Sequence, residues 1–333
     1  MTKAIITGIS GQDGYYLADL LLNKGYEVIG ISRRPTHKIN ENNNNDLYFK
    51  YYPRYQEING DICDSSFMMQ LISSHKPDEF YNLAAQTHVG YSFSNPDITF
   101  DTNAMAVLNM LEAIRLTSKH TRFYQASTSE MYGTIHSESA DETTPLNPHS
   151  PYGVAKTAAH HMVSVYRESY DVWACSGILF NHESERRGKD FVTRKVTSWV
   201  ADYKKFLHNA DSKLHLGNIS SVRDWGYAPD YVRGMWKMLQ HSYPDDYVLA
   251  TGETRSIGDL LDTAFGYIGI DNWSNLVVHN TPADIRPNDV TRLCGNPAKA
   301  MTVLGWKPEV SFYEMIGRMI DHDWLNIKVS SRY

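Results

Sequence analysis

Ala4-Ile-Ile-Thr7-Gly8-Ile-Ser-Gly11-Gln12-Asp13-Gly14-Tyr15-Tyr-Leu-Ala-Asp-Leu-Leu-Leu-Asn23 is the stretch that decides the fold. A β-prone run, a glycine turn and a helix with apolar residues at helical spacing follow one another in the order a dinucleotide fingerprint needs. Glycines at such a turn let the chain fold back sharply, let a pyrophosphate approach, and seat the helix close to the sheet. The free N–H groups and positive end of the helix would then hold the phosphates. Gly8, Gly11, Gln12, Asp13 and Gly14 are therefore the first candidate cofactor residues. Their glycine spacing differs from the commonest fingerprint, and a glycine turn with no ligand is the plain alternative.

Moving outward, Glu27-Val-Ile-Gly-Ile31 reads as the second strand and ends in Ser32-Arg33-Arg34. A carboxylate at this place suits the ribose 2′-hydroxyl of NAD, whereas arginine accommodates a 2′-phosphate. Two arginines and no acid favour NADP. Residues 36–52, with Asn42 to Asn45, read as an exposed loop. Glu57 to Ile62 reads as a strand ending in Asp61, and Glu79 to Gln86 as one ending in small residues that leave room for a cofactor. Helices are expected over 102–116 and 152–170. Strands alternating with helices from residue 4 to about 180 predict an α/β, Rossmann-like, doubly wound parallel sheet. The expected organisation is a cofactor domain over 1–180 with a returning segment at about 226–252. A smaller, mostly helical substrate lobe would comprise 181–225 and 253–333.

The chemistry is expected at Gln125-Ala-Ser-Thr128-Ser-Glu130 and Ser150-Pro-Tyr152-Gly-Val-Ala-Lys156. The first follows an apolar-aromatic strand, so Thr128 and Glu130 emerge at its carboxyl end, where open α/β sheets bind ligands. In the second, Pro151 starts a helix and the spacing of four places Tyr152 and Lys156 on one face. An ammonium beside a phenol favours the phenolate and lowers its pKa toward the range of a general base.

Composition bounds the partners. The 333 residues carry a net charge of −6, with 42% hydrophobic and 21% charged. This balance argues against nucleic acid and anionic membrane as partners. With neither a bilayer-length apolar run nor a cleavable signal pattern, a cytoplasmic location is expected. Cys63, Cys175 and Cys294 have no metal-type spacing, so buried thiols are expected and no metal site. Arg186, Arg187, Lys195, Arg223 and Arg286 are expected in loops or at element ends, a distribution suited to a diphosphate-bearing substrate.

Assembled, these stretches resemble the extended short-chain dehydrogenase/reductase family, and within it the GDP-mannose 4,6-dehydratases. The marks include Asn82-Leu-Ala-Ala-Gln-Thr-His-Val89, Gln125 to Gly133, Ser150 to Lys156, Asn181-His-Glu-Ser184, Arg186-Arg-Gly188, Phe191 to Lys195, Arg223-Asp-Trp-Gly226 and Arg286-Pro287. The resemblance implies conversion of GDP-mannose or GDP-D-glycero-D-manno-heptose to a 4-keto-6-deoxy sugar by internal hydride transfer through NADP. Tyr152 would deprotonate the 4-hydroxyl, helped by Thr128 and Lys156, and Glu130 would act at carbons 5 and 6. It also implies cofactor contacts from Arg33, Asp61, Ile62, Leu83, Ala84, Ala85, Gln86, Thr87, Lys156, His182 and Arg187. Ser92, Asn181, Lys195, Arg223 and Arg286 would face the nucleotide sugar. Relatives pair as homodimers through two helices, and some close into homotetramers. Relatives usually carry proline at Glu185, a tyrosine at Ile98, and glutamate and aspartate at Asp289 and Thr291. An epimerase or 4-keto reductase of the same family, which needs no Glu130, is the runner-up, and a non-catalytic NADP-binding protein the remote alternative.

Overall fold

The computed structural model describes residues 1–33, 46–135, 137–205, 212–279 and 290–326. Seven strands form one all-parallel sheet: β1 (Lys3–Thr7), β2 (Glu27–Ser32), β3 (Tyr55–Asn59), β4 (Glu79–Asn82), β5 (Arg122–Thr128), β6 (Ala174–Leu179) and β7 (Tyr247–Leu249). Their order is β7-β6-β5-β4-β1-β2-β3, so the winding reverses between β1 and β4. Such a switch point opens a crevice at the carboxyl ends of the strands.

The two faces follow from the alternation of side chains along each strand. Ala4, Ile6, Val28, Tyr81 and Tyr124 pack with Leu17, Leu21, Met235 and Leu239 of the helices Gln12–Asn23 and Ala228–Gln240. Ile5, Ile29, Phe80 and Phe123 pack on the other side with Met68, Val107, Met110, Ile114 and Val163. Both faces are covered, which is why the strands read as nearly continuous apolar runs. A separate cluster joins Val196, Val200, Trp225, Leu260, Phe265, Met315 and Met319, carried mainly by the helices Val192–Lys204, Ile257–Tyr267 and Phe312–Asn326.

Several elements differ from the sequence reading. Asp46–Tyr51 is a helix inside the stretch read as an exposed loop. Leu47 and Tyr51 are buried on the sheet cluster, and the Tyr51 hydroxyl lies 2.8 Å from Asp19 Oδ1. Tertiary burial overrides the polar local composition here. β3 ends at Asn59, before Asp61, whose carboxylate instead accepts the Cys63 amide at 3.0 Å. Cys63 is exposed in that turn, while Cys175 and Cys294 are buried. The helix expected over 102–116 begins earlier: residues 96–117 are helical throughout, with a wider π turn at Asp101–Met105. That turn aims Asn103 inward, where it accepts from Gln86 N at 2.8 Å and donates to Gln86 O at 2.9 Å. Residues 36–45, the rest of the stretch read as an exposed loop, through which the tetrameric relatives would close, lie outside the described residues.

Asp224 fixes the segment that enters the cleft from the last cluster. It is fully buried and accepts from Thr251 N (2.8 Å), Thr251 Oγ1 (2.6 Å), Gly252 N (2.9 Å) and Gly295 N (3.3 Å). Asp224→Asn turns one acceptor into a donor that faces backbone N–H groups. A stability loss of about 3 kcal/mol is expected, measurable by urea denaturation.

Candidate active site

The crevice at the switch point is a cleft of about 280 Å³, lined among others by Asp13, Leu83, Thr87, Thr128, Glu130, Tyr152, Lys156, Asn181, His182, Arg187 and Arg223. Asp13 is brought to it by the helix that follows the glycine turn. Gly8 has φ +72, and a Cβ there would lie 2.8 Å from Ala84 N. A Cβ on Gly14 would collide with the Gly8 carbonyl and lie 2.7 Å from Ile9 Cα. Gly11 caps the helix Gln12–Asn23 without a side-chain hydrogen bond. The first-turn N–H groups therefore rely on a partner beyond the capping side chain, and a phosphate group meets that need. The residues present fit a dinucleotide.

Next to the turn, His182 lies 2.8 Å from Phe180 O through Nδ1 and 2.8 Å from Asp13 Oδ2 through Nε2. Both partners are acceptors, so both ring nitrogens carry protons and the ring is an imidazolium. Burial opposes that charge, but Asp13 outweighs it, raising the His182 pKa while Asp13 itself is held below the usual carboxylate range. Tyr231 stacks on the ring at 4.6 Å between centroids.

At the end of β5, Thr128 Oγ1 caps the turn Ser129–Met131 by accepting from Glu130 N at 3.3 Å. Across the cleft, Ser150 caps the helix Pro151–Tyr170 by accepting from Gly153 N at 3.0 Å. This start sets Tyr152 and Lys156 one turn apart on the inner face, both buried. The Lys156 ammonium donates to Ala126 O at 2.8 Å, and burial lowers its pKa to about 8. The Tyr152 pKa is not lowered as the sequence reading expects but is pushed up to about 12. Burial is the main cause; Thr128 as hydrogen-bond partner works against it, the Glu130 charge adds to it, and the Arg187 charge opposes it. The chemistry available is therefore a phenol beside a hydroxyl, with a carboxylate and two cations close by.

A family profile described as GDP-mannose 4,6 dehydratase matches residues 5–319. GDP-mannose 4,6 dehydratase 1 of Arabidopsis thaliana is 45% identical over 328 residues, covering 96% of this chain and 89% of that protein. GDP-mannose 4,6-dehydratase of Vibrio cholerae is 42% identical over 367 residues, covering 99% and 95%. The chain belongs to the GDP-mannose 4,6-dehydratase family. Among solved structures, a dTDP-glucose 4,6-dehydratase from Bacillus anthracis in complex with NAD superposes with a TM-score of 0.83 at 20% identity, over 98% of this chain and 97% of that one. A UDP-glucose 4-epimerase from Thermus thermophilus complexed with NAD gives 0.83 at 26% identity, over 98% and 100%. The shared fold thus serves dehydratases and epimerases alike, and the side chains in the cleft have to tell them apart.

Not every residue expected in the site reaches the cleft. Ser92 is fully buried and donates to Val89 O at 2.6 Å. Lys195 sits half-buried in the first turn of the helix Val192–Lys204 and is absent from the cleft lining. Arg286 lies outside the described residues. Arg33 is exposed just after β2, and Ile62 is buried beneath the opposite face of the sheet. Asn181 and Arg223 do line the cleft; Asn181 opens a short strand paired with Trp225.

Two residues with no assigned role line the cleft, and a third stands at the end of β2. Glu183, 2% exposed, accepts from Thr193 Oγ1 at 2.6 Å and pairs with Arg187 Nε at 3.0 Å. An acid embedded in the Asn-His-Glu-Ser run was its only signal. His88 lines the cleft with Nδ1 accepting from Tyr91 N at 3.2 Å. Glu57 reaches the end of β2 from the neighbouring strand and accepts from Ser32 Oγ at 2.8 Å. It brings an acid to a strand end that shows none in its own sequence.

Holding Lys156 charged in a dry site opposes folding. Its ordinary pKa is 10.5 and its folded value about 8, so the unfolded chain binds more protons between those two pH values. The penalty is full below pH 8 and is relieved toward pH 10.5. Lys156→Met should stabilise the protein by roughly 2 kcal/mol at pH 7. The gain should shrink as the pH approaches 10, as compared by urea denaturation at both pH values.

Proposed function

We propose that the protein is an NADP-dependent GDP-sugar 4,6-dehydratase, a lyase acting on GDP-mannose or its 6-extended heptose counterpart. The observation that carries this reading is Glu130 on the turn directly after Thr128, sharing the cleft with Tyr152. A dinucleotide held by the glycine turn, Asp13 and His182 would supply reversible hydride exchange between carbons 4 and 6 of the sugar. Tyr152 removes the 4-hydroxyl proton, and Thr128 holds the same oxygen. The Thr128 hydrogen bond and the Arg187 charge favour a phenolate against its raised pKa; Lys156, one helical turn on, would hold the cofactor beside it. The ketone formed at carbon 4 acidifies carbon 5. Glu130 removes that proton and delivers it to the departing 6-hydroxyl, so one water is lost; as carbon 6 is reduced, the proton taken by Tyr152 is returned to carbon 5, and no net cofactor is consumed. An epimerase or simple reductase has no use for this carboxylate.

Asp13, His182 and the glycine turn would hold the cofactor, with Leu83, Ala84, Ala85, Gln86, Thr87 and Asp61 beside it. Asn181, Arg223 and Lys195 would bind the nucleotide diphosphate. Arg33 supports NADP; among the described residues Glu57 stands nearby and favours NAD, and identifying the dinucleotide released on denaturation decides between them. A homodimer is proposed from the outer faces of two helical stretches. Ile98, Met105 and Leu116 on one, and Val154 and Val165 on the other, are 43–58% exposed. Apolar side chains in such numbers on neighbouring helices mark an association surface.

Two outcomes test the function. Incubation with GDP-mannose, and separately with GDP-D-glycero-D-manno-heptose, without added reductant, should yield a 4-ketone one water lighter, by mass and NMR; the two rates identify the sugar. Glu130→Gln should still reduce bound cofactor transiently while product release falls at least about 100-fold. Normal turnover by this variant removes Glu130 from the mechanism. The pair Met105→Glu and Val165→Glu should yield a monomer by sedimentation, with the fold retained by circular dichroism.

A further inference from the structure

Residues 182–186 meet the first turns of the helix Gln12–Asn23 in a row of contacts. Gln12 Nε2 donates to His182 O at 3.0 Å, and Ser184 Oγ donates to Gln12 Oε1 at 2.7 Å. Asp13 holds the His182 ring. The Arg186 guanidinium lies 3.2 Å over the Tyr15 ring. Tyr16 donates its hydroxyl to Glu185 Oε2 at 2.8 Å.

Glu185 closes this row and also ties it to the other side of the molecule. Its carboxylate receives the Tyr227 hydroxyl at 3.1 Å, and Arg318 lies over the Tyr227 ring. Its backbone carbonyl accepts from Arg194, which is itself held by Asp323. A carboxylate accepting two phenols is a charge-assisted junction, stronger than a neutral one. The segment it fixes comprises the end of the short strand Asn181–Glu183 and the loop after it, and carries His182 and Arg187 on the cleft side.

We propose that Glu185 is a positioning residue whose bond to Tyr16 clasps the loop 182–187 onto the dinucleotide turn, so that the cofactor is retained throughout the reaction cycle. The inference rests on the dehydratase reading above. A redox-neutral cycle fails if the reduced cofactor escapes between its two hydride transfers, so slow release is a functional requirement. A clasp across the turn meets it without touching the reacting atoms. Of the two phenols at the junction, Tyr16 belongs to the helix that follows the dinucleotide turn, and Tyr227 braces the loop from behind.

The test uses the full-length enzyme loaded with NADPH and chased with excess NADP, following the loss of bound-cofactor fluorescence. Glu185→Gln and Tyr16→Phe should each accelerate release about tenfold. The double variant should release no faster than the faster single one, because both remove one bond. Tyr227→Phe should change the release rate less than either. During turnover the two single variants should lose activity progressively and regain it on addition of NADP, which a purely structural weakening would not produce. Tyr16→Phe deletes one hydroxyl and keeps the experiment open if Glu185→Gln folds poorly. Wild-type release rates in folded Glu185→Gln and Tyr16→Phe, or multiplied effects in the double variant, overturn the clasp. A wild-type protein that retains no NADP or NADPH overturns the underlying functional reading instead.

Discussion

A buried line of hydrogen bonds runs across the carboxyl ends of the central strands, and the site depends on it. Thr7 Oγ1 donates to Asn82 Oδ1 at 2.6 Å and accepts from Leu83 N at 3.2 Å and Ala84 N at 3.1 Å. Asn82 Nδ2 donates to Gln125 Oε1 at 2.8 Å, and Gln125 Nε2 donates to Ala126 O at 3.0 Å. The same carbonyl receives Lys156. In a dry interior each unmade bond would cost about 1–3 kcal/mol, so the line admits one arrangement of β1, β4 and β5. It sets the height of the strand ends, and with them the backbone proposed to face a cofactor and the carbonyl that Lys156 reaches.

Electrostatics in the cleft follow from that dryness. Burial pushes the Tyr152 and Lys156 pKa values toward their neutral forms, upward for the phenol and downward for the ammonium. Glu130 opposes a phenolate and Arg187 favours it. Charge in this site is therefore expensive unless shared between groups, and a proton moved from one oxygen to another alters the balance of all of them. The Asp13–His182 pair holds its charges through each other first and is coupled to the same balance through Arg187.

Much of this was legible in the sequence for local reasons. The glycine turn announces itself because a Cβ at Gly8 or Gly14 strikes backbone, a constraint settled within a few residues and the next strand end. Tyr152 and Lys156 share a face because helical spacing puts them there. What depends on distant chain was not legible. The direction of the Tyr152 shift is set by burial and by Glu130 and Arg187; Ser92 turns inward on a short helix; Glu57 arrives at Ser32 from the adjacent strand. The helix at Asp46–Tyr51 was hidden by its polar flank, because only the packing of Leu47 and Tyr51 on the helix Gln12–Asn23 makes it worthwhile.

The pairing of residues 12–16 with residues 182–186 joins parts of the chain 169 to 172 positions apart. Contacts so distant form late, because the intervening strands must first be placed. During synthesis the glycine turn emerges early, yet its partners follow only after β6, more than half the chain later. Tight cofactor capture would then be among the last properties the folding chain acquires, and a molecule holding its dinucleotide firmly would be one whose whole sheet had already assembled.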